Sequence, residues 1–234
     1  MHTMTLRPAL ERALAPFGLQ LRGAFAVRSD DGLAPLPDGQ PVASVWLVGV
    51  VGSTFWPYFE ASPLYADGLP DPLDRWSKSI GDALADQLGG RAVYPSDGPP
   101  YHPFQQWAER AEALQTSPMM LRMHPQYGLW HAYRFALALA QPVDGTRSAL
   151  IAAVANPTIC ATCDGQPCLR ACPVGAYAGA GFEMDACSGH VHSSAGQHCM
   201  QTGCQARLAC PVGREHRYQT EHAAFHMRAF ADRH

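Results

Sequence analysis

The stretch Cys160-Ala161-Thr162-Cys163-Asp164-Gly165-Gln166-Pro167-Cys168-Leu169-Arg170-Ala171-Cys172-Pro173 decides how this chain is read. It holds four of the eight cysteines; Cys187, Cys199, Cys204 and Cys210 follow, and the first 159 residues hold none. Part of it returns: Leu169-Arg170-Ala171-Cys172-Pro173-Val174-Gly175 is echoed by Leu208-Ala209-Cys210-Pro211-Val212-Gly213. Two copies of one cysteine-proline corner predict a duplicated module with pseudo-twofold symmetry. A disulfide framework suits a small exported domain. Here Arg7, Glu11 and Arg12 stand where an export signal needs an apolar core, so a cytoplasmic protein with metal-holding thiols is expected.

The spacing narrows the metal. In Cys160-x2-Cys163-x4-Cys168-x3-Cys172-Pro173 the C-x2-C segment turns two thiolates toward one iron–sulfur cubane, and the third closes from the next turn. The fourth cysteine, preceding proline, is carried toward a second cluster. The later set, Cys187-x11-Cys199-x4-Cys204-x5-Cys210-Pro211, is looser but ends in the same corner. Structural zinc also takes four thiolates, but zinc ribbons use paired short knuckles rather than a Cys-Pro repeat. This region resembles the bacterial-type dicluster ferredoxin domain. The resemblance implies crossed ligation, with Cys160, Cys163, Cys168 and Cys210 on one [4Fe–4S] cluster and Cys172, Cys187, Cys199 and Cys204 on the other. Histidines crowd the same region, and His222 and His226 share a helix face. They are read as a polar face, not as ligands.

Working outward, residues 1–155 read as an α+β domain, 156–214 as the dicluster domain and 215–234 as a terminal helix. Leu6, Leu10 and Leu14 recur at helical spacing, and Leu19 to Val27 and Ser44 to Val51 are strand-like. Asp71 is expected to cap a helix whose stripe is Leu73, Trp76, Ile80, Leu84 and Leu88, stopped by Gly89-Gly90. A short strand at Arg91 to Tyr94 and a helix from Pro103 through Leu114 follow. Met119 to Met123, Trp130 to Leu139 and Ser148 to Ala155 are expected strands. On the last helix Ala223, Met227 and Phe230 form the packing stripe. With 17 Lys+Arg against 20 Asp+Glu, and 47% apolar residues, neither nucleic-acid binding nor disorder is expected. The longest apolar run, Val42 to Val51, is too short to span a bilayer.

A second resemblance covers residues 5 to 140. Ala15-Pro16-Phe17-Gly18-Leu19, then Val45 through Trp56, then Asp71-Pro72-Leu73-Asp74 are similar to successive landmarks of the cblC-type cobalamin-processing family. Met123-His124-Pro125-Gln126-Tyr127-Gly128-Leu129-Trp130-His131-Ala132-Tyr133-Arg134 is similar to its His-Pro-x-aromatic-Gly-Gly-Trp-x-x-x-Arg segment, with Leu129 standing where the family has its second glycine. The resemblance implies a nitroreductase-like sheet flanked by helices that binds cobalamin base-off. A corrin domain followed by a dicluster domain is similar in layout to epoxyqueuosine reductase and the reductive dehalogenases, whose clusters feed electrons to a bound cobalamin.

The segment also makes physical sense for a wide apolar disc edged with amides. Gly128 permits close backbone approach, while Tyr127, Trp130 and His131 supply flat faces and ring donors. Arg134 lies in an otherwise apolar run and, if buried, needs an anionic partner. His124 completes the segment, and Ser53 and Thr54, which follow an expected strand, either line a ligand cavity or cap a turn. The alternative is a buried turn, with His124 bonded to backbone and Trp130 in the core. The expected function is a corrinoid-binding iron–sulfur protein that passes electrons from two [4Fe–4S] clusters to cobalamin cobalt, a cobalamin reductase or decyanase. Its electron donor would be a ferredoxin or flavodoxin reductase. The rival is a non-catalytic dicluster carrier that docks a partner oxidoreductase. A flavin reductase ranks lowest, since no glycine-rich phosphate loop or basic cluster is present.

Overall fold

The computed structural model describes residues 6–143, 159–177 and 181–234. It is a mixed α+β chain that divides into two compact units, one drawn from 1–113 and 132–154, the other from 114–131 and 155–234. The segment 114–131, expected to belong with residues 1–155, therefore clusters with the cysteines. The strand expected over Ser148 to Ala155 lies outside the described residues.

The sheet unit begins with α1 (Leu6–Leu14), which buries Leu10 and Leu14 at the expected helical spacing. β1 (Gln20–Ala26) and β2 (Ser44–Val51) pair antiparallel. All eight residues of β2 are buried, as an unbroken apolar run requires of a central strand. A short α2 (Trp56–Glu60) leads to α3 (Pro72–Leu88), whose stripe Leu73, Trp76, Ile80 and Leu84 faces inward. Gly89, at φ 62°, ends it. Asp71 stands at its N-cap in the left-handed region, but its side chain makes no capping bond, contrary to expectation. β3 (Arg91–Val93) and α4 (Phe104–Ala111) follow, the helix stopping short of the expected Leu114. The core of this unit is aromatic: Phe55, Phe59 and Trp76 have ring centroids 5.7 to 6.2 Å apart.

Within the cysteine unit, β4 (Gln115–Thr116) and β5 (Arg122–Met123) form a two-stranded ribbon. The strand expected from Met119 shrinks to Arg122–Met123 because Met120 turns the chain at φ 59°. β6 (His131–Leu139) returns to the sheet, whose order is β1-β2-β6-β3 with β3 antiparallel to β6. The cysteine-rich stretch then forms short helices: α5 (Pro167–Arg170), α6 (Met184–Val191), α7 (Gln197–Thr202) and α8 (Gln205–Leu208). The last helix, α9 (Thr220–Ala231), starts five residues later than the expected Glu215; a separate 3-10 turn covers Arg214–His216. Its Ala223 is buried, and Met227 and Phe230 pack on Val191, Cys199 and Ala231. Among the described residues no helix is long and apolar enough to cross a membrane.

Candidate metal centres

All eight cysteines are thiols, and they fall into two groups of four. Cys160, Cys163, Cys168 and Cys210 ring a narrow cavity of about 20 Å³. Cys172, Cys187, Cys199 and Cys204 ring a wider one of about 240 Å³. The two short helices produce this division. α5 carries Cys168 into the first cavity, and the chain then turns at Cys172-Pro173 into the second. α8 does the reverse: Cys204, at its N-cap, faces the second cavity, and Cys210, two residues beyond its end, faces the first. α5 and α8 pack on one another. Each helix thus contributes one cysteine to each cavity, which is the geometry that two Cys-Pro corners produce, since proline cannot continue the preceding helix.

The thiols interact within their groups. Burial pushes the Cys160 thiol above its ordinary value, and Cys210, Cys168 and Cys163 add to the rise. Burial likewise pushes Cys187 up to about 11, reinforced by Cys204, Cys172 and Cys199. The first cavity is walled by apolar groups: Met119, Met123 and Leu129 are buried there, and the Cys160 thiol points at the Met123 thioether, 3.8 Å away. Ser117 also lines it, buried, with no hydrogen-bond partner for its hydroxyl among the described residues. The second cavity is better supplied with donors. The Ala176 amide donates to Cys172 Sγ at 3.3 Å, and Tyr177 lines the cavity beside Cys204. Tyr177 is held there by stacking on Phe182, ring centroids 5.0 Å apart.

Each group of four thiols has the donor chemistry that an iron–sulfur core takes. No three His, Cys, Asp or Glu among the described residues converge on a single point, and the sulfurs instead stand round a space. A lone zinc needs every thiolate about 2.3 Å from one centre. Bonds of that length are also far shorter than van der Waals contact, so a thiolate-bound core needs less empty room than a free ligand. The unsatisfied Ser117 hydroxyl in the first cavity has a natural acceptor in such a core, since cluster sulfurs take hydrogen bonds.

The segment read as a corrin floor is packed into the cysteine unit as a turn. His124 Nδ1 accepts the amides of Gln126 and Tyr127 at 3.1 and 3.2 Å, and its ring stacks on Tyr127 at 4.2 Å. Tyr127 meets His216 edge-on. The close approach that Gly128 permits is made by protein: a Cβ there, at φ +57°, would lie 2.2 Å from the Val212 carbonyl oxygen. Trp130 is buried between Arg207 and Tyr218, and His131 Nε2 lies 3.0 Å from the Arg122 carbonyl oxygen. Ser53, Thr54 and Arg134 belong to the sheet unit. Thr54 Oγ1 donates to the Gly18 carbonyl at 2.8 Å, Ser53 is half-buried, and half-buried Arg134 donates to the Tyr133 carbonyl.

The buried arginine with an anionic partner is Arg22. A bulge between Leu21 and Gly23 turns its side chain inward, where Nε and Nη2 each lie 3.0 Å from a Glu112 carboxylate oxygen and Nη1 donates to the Val50 carbonyl. The Tyr133 hydroxyl donates to the same carboxylate. Burial raises the Glu112 pKa against the pull of Arg22. Neither Arg22 nor Tyr177 is singled out by sequence, because one depends on a bulge and the other on packing against Phe182 at the second cavity. His222 is fully buried, stacked on Tyr218, with Nε2 3.0 Å from that of His226. Comparison with protein-family models and with the curated proteins matches none of them.

Proposed function

We propose that the chain is a one-electron carrier holding two [4Fe–4S] clusters, one on Cys160, Cys163, Cys168 and Cys210 and one on Cys172, Cys187, Cys199 and Cys204. The observation that carries this reading is the sorting of eight thiols into two fours by helices that each serve both cavities. Such clusters, when bound, accept and release single electrons with little change of shape. The chain's own residues shape that chemistry. Met119, Met123 and Leu129 keep water from the first set, while Ala176 directs its amide at the second. Eight thiols without a disulfide fit a reducing compartment. Anoxic reconstitution with iron and sulfide tests the reading. Visible absorption that bleaches with dithionite, and matching iron and sulfide contents, are expected; colourless protein that takes up only zinc overturns it.

The acceptor proposed from the resemblance is the cobalt of a corrinoid, on a nitroreductase-like sheet beside a ferredoxin-like module. The four-stranded sheet flanked by helices is compatible with the first part. Against a corrin floor at the His124 segment stands the engagement of Gly128, Tyr127 and Trp130 with their own unit. That engagement favours the plain carrier, which hands its electron to a docked oxidoreductase. Titrating the cluster-loaded protein anoxically with aquacobalamin and methylcobalamin separates the two. A saturable shift to the base-off spectrum establishes a corrin site, and no shift leaves the carrier.

A further inference from the structure

Each cysteine cavity has one side-chain hydroxyl of its own, and the two come from distant parts of the chain. Ser117 follows β4 and is 5% exposed. Its backbone is used up locally, the amide donating to the Leu121 carbonyl and its own carbonyl accepting from Met120, while Ser117 lines the first cavity and its buried Oγ has no partner among the described residues. A buried hydroxyl left unsatisfied costs about 1–3 kcal/mol, so a wall that includes Met119, Met123, Leu129 and Ile159 is a costly place for one. Tyr177 follows the Cys172-Pro173 corner, lines the second cavity together with Cys172, Cys187, Cys199 and Cys204, and is held by stacking on Phe182. The remaining lining of each cavity is cysteine, apolar or backbone, apart from Gln166 in the first and His190 and Gln205 in the second.

We infer that Ser117 and Tyr177 are dedicated tuning residues, one for each cluster, which donate a hydroxyl hydrogen bond to sulfur and thereby raise the reduction potential of the group held by their own cysteine set. This rests on the two-cluster reading. A donated hydrogen bond stabilises sulfur more when the core carries its extra negative charge, so it favours the reduced state. Each reduction takes one electron from an external one-electron reductant. No bond breaks, and the hydroxyl proton stays on its oxygen. Because the hydroxyls sit in separate cavities, their effects are independent.

The test is a potentiometric titration with dithionite, followed by electron paramagnetic resonance, on reconstituted full-length protein and on Ser117→Ala and Tyr177→Phe. Each change removes a single oxygen. The expected result is a double dissociation: Ser117→Ala moves one midpoint to more negative potential, Tyr177→Phe moves the other, and iron and sulfide contents are unchanged. Cys204→Ser must perturb the signal that responds to Tyr177→Phe, and in D2O each signal must lose its coupled exchangeable deuteron in the matching variant. Midpoints that stay put, that move together in either variant, or that respond in the reverse assignment overturn the inference while leaving two clusters in place. Wild-type protein that takes up no iron and sulfide overturns the two-cluster reading itself.

Discussion

The sheet unit and the cysteine unit reach a folded state by different means. The first has a 17-residue helix, a fully buried central strand, an aromatic core and a buried ion pair between Arg22 and Glu112. Among the described residues of the second, only α6 and α9 reach eight residues or more, and thiols line both of its cavities. Helices of four to eight residues are not stable by themselves. Each unit therefore depends on what fills its centre: side chains in the sheet unit and, on the function proposed above, a thiolate-bound metal core in the other.

The largest effect that this contrast predicts is on metal removal. Chelating the iron should abolish hydrogen-exchange protection in α6 and α9 while α3 and β2 keep theirs, because metal-binding free energy in such modules is folding free energy. Equal protection in both units after chelation would break the comparison. Next comes Arg22→Ala, which strands the buried Glu112 carboxylate and should cost about 3–5 kcal/mol, read as a lower denaturant midpoint for the sheet unit with the cluster absorption retained. Pairing Arg22→Met with Glu112→Leu should recover much of that loss, since both charges then leave together.

A smaller effect is expected in the cysteine unit from Gly128→Ala. The left-handed backbone and the Val212 carbonyl both oppose the new Cβ, and about 1–3 kcal/mol is expected, seen as faster iron loss to a chelator. The smallest effect concerns Asp31 in the sheet unit. Burial raises its pKa, but Arg110 and the Arg28 amide outweigh that, and the carboxyl titrates below its ordinary value. A lowered acid pKa stabilises the fold above the unfolded-chain value and loses that contribution as pH falls through the folded one. Wild type should therefore exceed Asp31→Asn by about 1 kcal/mol or less near pH 6, and the difference should shrink as the pH falls below the unfolded aspartate value of about 3.9.

Much of this was legible beforehand. The run Ser44 to Val51 has only one use in a globular chain, and the stripe Leu73, Trp76, Ile80, Leu84 announces α3 because both signals are periodic and local. The turn at Met120 and the uncapped Asp71 were not legible, since a non-glycine residue at positive φ is imposed by its surroundings rather than by its own preference. The segment from His124 to Trp130 shows the same limit at the site. Its composition allowed either a ligand floor or a buried turn, and only the arrival of Val212 and Tyr218 from more than eighty residues away favoured the turn.

The sequence by itself determined the number and spacing of the thiols and the two proline corners that send successive cysteines in different directions. Tertiary structure alone decided which hydroxyl stands in each cavity, which arginine is buried, and what covers Gly128. The reason is physical. Spacing along a chain constrains what a turn or a short helix can present, because covalent geometry is local. Ser117, Tyr177, Arg22 and Gly128 take their roles from neighbours far along the chain, which only packing brings within reach.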